Sequence, residues 1–309
     1  MEQTDRAAIR NLVLGVILGI VLSRLTIGSI FMTVPILLAC PSVRKANARL
    51  LAFAAIALGV TVWTLVEFRG VLGTEYRPMV LVSLYVPIAV TVGSAVWTLG
   101  SGYSRSSMRK FFWACIPVFV MGAMLSMYFA SEKSAPVRAV LVESYLSVFP
   151  TESLSMDISS VVQAVVNSMM LFFAPMGLLL LAIPVVISDI NLNRYDEDWQ
   201  YDFANMKLPD TYVWILFASW ALALLTNFVT AVTLWIMALM WNLALSLSVL
   251  YFVVGVSILV AFARRRTAAL TAGRIVLMVA LGCIIPVVNM IVLFGLVLLG
   301  VLETWIRFR

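Results

Sequence analysis

The sequence predicts an all-α protein, a polytopic bundle of transmembrane helices, and three observations predict it. The chain is 63% hydrophobic and only 12% charged, with a mean hydropathy of +1.05, which a soluble domain of 309 residues could not solvate. A hydrocarbon core of ~30 Å takes about 20 apolar residues per helical span, and Tyr212 to Phe262 alone supplies 51 residues without a charge. The bases stand at the ends of apolar runs, where the positive-inside bias places them. The net charge of +6 therefore does not point to nucleic acid. About ten spans are expected, with nine as the alternative.

The first span is expected over Asn11–Ser23, as a retained helix, because Arg24 stands where a signal peptide would need a small-residue cleavage site. Gly15, Gly19 and Ser23 recur every fourth residue, a small-residue face suited to close helix association. The second run, Thr26 to Cys40, carries Pro35 near its middle. A basic turn with Arg44, Lys45 and Arg49 leads to the third span, Leu50–Val66. The fourth, Met79–Gly100, contains Pro87, Gly93 and Ser94. Arg105, Arg109 and Lys110 mark a second basic loop before the fifth span, Phe111–Ala130.

Ser131 to Asp157 is polar and net negative. Within it Val137, Val140, Leu141, Tyr145 and Val148 share one helical face, with Pro136 suited to a first turn. A short helix lying in the membrane interface is expected there. Asp157 is a suitable N-cap for the sixth span, Ile158–Ile187, which Pro175 and Pro184 should kink.

Asp189 to Asp210 is the least membrane-like stretch of the chain. Its six acids face only Arg194 and Lys207, and Pro209 suits the first turn of the helix that follows. It reads as a cytoplasmic connector between a six-span bundle, residues 1–188, and a four-span bundle, residues 211–309. The later spans are expected over Thr211–Thr233 and Trp235–Phe262, ahead of the Arg264–Arg266 cluster. A tight hairpin turning near Pro286 and Asn289 follows, its first helix starting near Thr267 with Arg274 snorkelling to the surface. With the N-terminus inside, ten spans bring all three basic turns and the Arg307/Arg309 tail to the cytoplasmic side.

Several chemistries are disfavoured by counting. There is no His, and Cys40, Cys115 and Cys283 are far apart, so neither a metal site nor a disulfide framework is expected. No cofactor is expected. A Ser-His-Asp triad is excluded, and no G-x-x-x-x-G-K-[ST] loop is present to cradle a nucleotide phosphate. No enzyme activity is expected.

The ending LGVLETWIRFR, the segment MKLPD before a helix, the span WNLALSLSVLYFVVG and the early VPILL with its basic turn resemble the YybS-like family of bacterial polytopic membrane proteins. That resemblance runs along most of the chain through short apolar motifs and implies a multi-pass protein of the bacterial cytoplasmic membrane. It also implies that the N-terminal part is similar to the S-components of energy-coupling-factor transporters. In those a first helix with small residues every fourth position docks a coupling subunit, and Gly15, Gly19 and Ser23 occupy the matching positions. S-components are usually six-span and shorter, so the four later helices and the acidic connector have no counterpart in them.

Two function classes follow. One is a membrane-embedded substrate-binding subunit of a small-molecule transport system, energised by another protein. Its candidate ligand residues are Glu67 and Arg69, a possible ion pair at a span end, and the amides Gln163 and Asn167. Asn227, Asn242 and Asn289 are further buried amides, of the kind that more often bind neighbouring helices than ligands. The other class is a scaffold that transports nothing and recruits a cytoplasmic partner through Asp196, Glu197, Asp198 and Trp199. Lipid and other protein subunits are the expected partners in both.

Overall fold

The structure is a computed structural model, and it describes residues 2–25, 28–43, 45–74, 76–100, 107–131, 134–146, 158–193, 196–226, 228, 233–266, 271–285 and 288–308. Among these residues every regular element is a helix. The first half comprises α1 (Glu2–Leu22), the short α2 (Gly28–Phe31) and α3 (Val34–Ala39), α4 (Ala46–Glu67), α5 (Pro78–Gly100), α6 (Ser107–Phe129) and α7 (Ala135–Leu146). Then come α8 (Ile158–Leu171), α9 (Phe173–Leu192), α10 (Glu197–Ala204), α11 (Thr211–Leu225), α12 (Leu234–Arg266), α13 (Ala272–Ile284) and α14 (Val288–Leu302).

The central element is α12. Ala244, Val249, Val253, Gly255 and Ser257 are among its many buried residues, and it packs against α6, α9, α11 and α14. At its crossing with α14, a Cβ on Gly255 would meet the Leu296 carbonyl and one on Gly300 would meet the Tyr251 carbonyl. Small residues therefore bring the two backbones together, as helices in lipid commonly do. One apolar cluster runs from Leu12 on α1 to Val301 on α14.

The outside is apolar as well. Val13, Ile17, Leu51, Leu58, Ile291 and Phe294 are all at least half exposed, and five helices are long and apolar enough to cross a membrane. These are the marks of a multi-pass membrane protein whose outer helix faces are solvated by lipid. The helix lengths do not carry a count of ten full crossings. Helices α11, α13 and α14 have only 15, 13 and 15 residues, about 20–23 Å at 1.5 Å per residue, against the ~30 Å of hydrocarbon.

Several expected elements take a different form. The second run is not one span, because the chain breaks at Met32–Thr33 and restarts with Pro35 in the first turn of α3. The expected sixth span is two helices rather than one kinked helix. Pro175 cannot donate to the carbonyl of Leu171 and its ring crowds that carbonyl, so α8 ends there and α9 begins at Phe173. The acidic connector is also not a free linker. Helix α9 continues through it to Leu192, and α10 folds back against α12 and α6, burying Trp199, Phe203, Met206 and Leu208.

The expected interfacial helix is α7, which packs on α8 and buries Val137 in the bundle. The final hairpin is present as α13 and α14, which pack on each other. Its first helix begins at Ala272. Asp157, Val148, Thr267, Asn227 and Pro286 lie outside the described residues.

Candidate functional site

The break between α8 and α9 leaves backbone groups without helical partners inside an apolar bundle, where each unsatisfied group is costly. Side chains from two other helices bond the backbone there, and a third helix supports one of them. Asn242, fully buried on α12, accepts a hydrogen bond at Oδ1 from the N–H of Ala174 at 3.0 Å. Its Nδ2 donates to the Ala238 carbonyl at 2.7 Å, which fixes the orientation of the amide. The Ser126 hydroxyl of α6 donates to the same Oδ1 at 3.3 Å. From α5, the Tyr85 hydroxyl donates to the Phe173 carbonyl at 2.8 Å.

The surrounding packing has little slack. A Cβ on Gly122 would meet the Ala174 backbone, and one on Gly177 would meet the Tyr85 hydroxyl. The Phe173 ring stands edge-on to Tyr85, with centroids 5.6 Å apart, and 5.7 Å from Phe129. On its other side Tyr85 lines a cavity of about 420 Å³ between α5 and α6, with Leu81, Leu84, Ile88, Met121 and Met124 among its walls. Apart from the hydroxyls of Tyr85 and Tyr128 the lining side chains are apolar.

The other end of α9 borders a second pocket, of about 460 Å³ and polar in character, which includes Arg49, Trp97, Lys110, Ser188 and Asp189. Arg49 is tethered by its Nε, which donates to the Val43 carbonyl at 2.7 Å. The Lys110 ammonium lies 5.9 Å from the centroid of the Trp97 ring. Asp189 is held by donors, its Oδ2 accepting from Trp199 Nε1 at 2.9 Å and its Oδ1 from Asn193 Nδ2 at 3.0 Å.

The residues singled out in the sequence lie mostly elsewhere. Glu67 does not pair with Arg69; it accepts from Arg24 at 2.6 Å. The same guanidinium donates to Thr64 Oγ1 at 2.9 Å and to the Val60 carbonyl at 3.3 Å, and it lies over Trp63. Arg24 thus ties the end of α1 to the last turns of α4, and Arg69 stands exposed. On α8, Gln163 is exposed and Asn167 half-buried, and neither lines the two pockets described. The Gly15/Gly19/Ser23 face is filled from within the chain. A Cβ on Gly15 would meet the backbone of Pro35 and Ile36, and one on Gly19 the Met32 carbonyl and Ile56. Ser23 donates back to the Ile20 carbonyl at 2.6 Å.

In α10, Asp196 is the N-cap, accepting at Oδ1 from the N–H groups of Asp198 and Trp199. Trp199 packs on Phe203 and is buried, whereas Glu197 and Asp198 remain exposed. Among the described residues no three His, Cys, Asp or Glu side chains come together as metal ligands would.

Tyr85, Ser126 and Ser188 were not singled out in this role by the sequence, and Asn242 was one amide among several. Pro175 was the available signal, because a proline there demands outside partners for the backbone it frees. The chain matches no protein-family model, no curated protein and no solved structure.

Proposed function

We propose that this protein is the membrane-embedded binding component of a small-molecule transport system, with energy supplied by a separate protein. The observation that carries the reading is the interrupted helix α8–α9, with an open apolar groove between α5 and α6 on the far side of Tyr85. Helix breaks at membrane depth persist where they are buried in protein or line a cavity, and in secondary transporters they mark the substrate region. Tyr85 joins the two features, lining the groove while its hydroxyl donates to the Phe173 carbonyl in the first turn of α9. The groove fits an apolar molecule, because its lining is almost wholly apolar.

The likeness to the YybS-like family and to S-components supports the same reading. In this proposal the chain crosses the bacterial inner membrane ten times, with α8–α9 as the sixth crossing and α13 and α14 as the last two. Both termini then face the cytoplasm. The scaffold reading retains one specific observation in its favour. Glu197, Asp198 and Tyr201 project from α10 as an exposed acidic and aromatic edge.

The test is purification into nanodiscs from native membranes, followed by mass spectrometry of the retained small molecules. An apolar molecule enriched over bulk lipid, and lost when Leu84→Trp fills the cavity, is the expected result. Retention of bulk lipid alone, identical in the parent and in Leu84→Trp, would sink the reading.

A further inference from the structure

The polar pocket at the Gly100 end of α5 is separate from the cavity just discussed, and its chemistry is different. We propose that it binds a phosphate group, supplied either by an anionic phospholipid headgroup or by free phosphate. Four observations converge on it.

The first is charge. Arg49 and Lys110 line the pocket with Asp189 as the acidic residue, a net excess of one positive charge. Neither cation is within ion-pair distance of a carboxylate among the described residues. Asp189 is engaged by Trp199 and Asn193, so its carboxylate is already solvated by donors. A phosphodiester monoanion would balance the remaining charge.

The second is preorganisation. Arg49 is anchored through Nε to the Val43 carbonyl, which leaves its two terminal nitrogens for a bidentate contact of the kind that suits phosphate. Lys110 lies over the Trp97 ring instead of extending into bulk water, and both cations are half-buried.

The third is an unmet donor. Ser188 is 2% exposed and lines the pocket, and its hydroxyl has no hydrogen-bond partner among the described residues. A buried hydroxyl without a partner is costly, and an acceptor oxygen in the pocket would relieve that cost. Guanidinium, ammonium and hydroxyl come from α4, α6 and α9 and line one pocket.

The fourth is size. About 460 Å³ exceeds what one phosphate fills, and Leu37 and Leu192 among the walls provide an apolar margin for the glycerol and first methylenes of a lipid. Basic pockets between transmembrane helices are a known physical solution for lipid headgroups.

The experiment uses the full chain in detergent and follows its thermal unfolding during titration with three probes: inorganic phosphate, dioctanoyl-phosphatidylglycerol, and sodium acetate at matched ionic strength. Saturable stabilisation by phosphate alone identifies the free anion. Saturable stabilisation by the lipid alone identifies the headgroup, and either result, or both, supports the proposal. Lys110→Gln and Arg49→Gln should each weaken the half-saturating concentration about tenfold, the loss expected for one charge-assisted hydrogen bond. Ser188→Ala should weaken it less. Lys110→Gln carries the test if Arg49→Gln, which also loses its hold on Val43, fails to fold. The proposal is overturned if neither phosphate probe saturates, if acetate stabilises equally, or if Lys110→Gln binds as tightly as the parent.

Discussion

Asn242 on α12 reaches across the bundle to the first turn of α9, where its Oδ1 accepts the N–H of Ala174 at 3.0 Å. One amide, 68 residues away in sequence, thereby caps a helix that has no capping side chain of its own at Phe172. Replacing Asn242 with Ala removes the acceptor without adding bulk, so a buried N–H is left unsatisfied. The expected cost is about 1–3 kcal/mol, read as a lowered unfolding midpoint in detergent. Ser126→Ala removes a long bond to an oxygen that Ala174 still uses, and it should cost less than about 1 kcal/mol. Equal losses in the two variants would show that Asn242 does not act as the cap.

Gly19 and Gly295 make a matched pair for testing close packing. A side chain at Gly19 collides with the Met32 carbonyl and Ile56, whereas nothing lies within 4 Å of the position a Cβ would take on Gly295. Gly19→Leu should destabilise by about 1–3 kcal/mol or more through overpacking. Gly295→Ala should be neutral or stabilising by up to about 1 kcal/mol, since it only removes backbone entropy from the unfolded chain. A Gly19→Leu protein as stable as the parent would place that face in lipid.

The acidic residues at the start of α10 divide by role. Asp196→Ala removes the N-cap, with an expected loss of about 0.5–2 kcal/mol and local unfolding visible as faster hydrogen exchange over residues 197–204. Glu197→Lys with Asp198→Lys touches only exposed carboxylates, so the fold should hold while any salt-sensitive partner is released. A large loss of stability in the double variant would show that those charges support the fold itself.

The proposed orientation is open to direct labelling. In a background lacking Cys40, Cys115 and Cys283, single cysteines at Ala139 and Thr271, both exposed, should lie on opposite sides of the membrane. An impermeant reagent added outside intact cells should modify only the cysteine placed at Ala139. Equal labelling of both positions would overturn the ten-span topology.

What the sequence disclosed was whatever can be read locally. Apolar runs gave the helices, Pro136 fell in the first turn of α7 and the final hairpin followed from spacing around Asn289, whereas Pro209 lies ahead of α11, which begins at Thr211. What it withheld depends on contacts between distant segments. Glu67 and Arg69 are neighbours in sequence, yet the partner is Arg24, 43 residues away, because α1 ends beside the last turns of α4. The acidic connector, with Trp199 beside its acids, reads locally as an anchor for a partner. Its apolar residues Trp199, Phe203, Met206 and Leu208 are nevertheless drawn into the bundle, and the acids stay outside as the solvated edge of a short amphipathic helix. The break at Phe172 was misjudged as a kink, because whether a proline bends or ends a helix depends on side chains that wait to receive the freed backbone.

Helix α9 joins the two ends of this arrangement into one mechanical part. Phe173 and Ala174 at its start are gripped by Tyr85 and Asn242, and Ser188 sits 14 residues further along, about 21 Å at the helical rise. Between them Pro184 is the internal position that contributes no hydrogen-bond donor, a compliant point in an otherwise stiff shaft. The gripped first turn and the polar pocket around Ser188 therefore share one helix as their common frame.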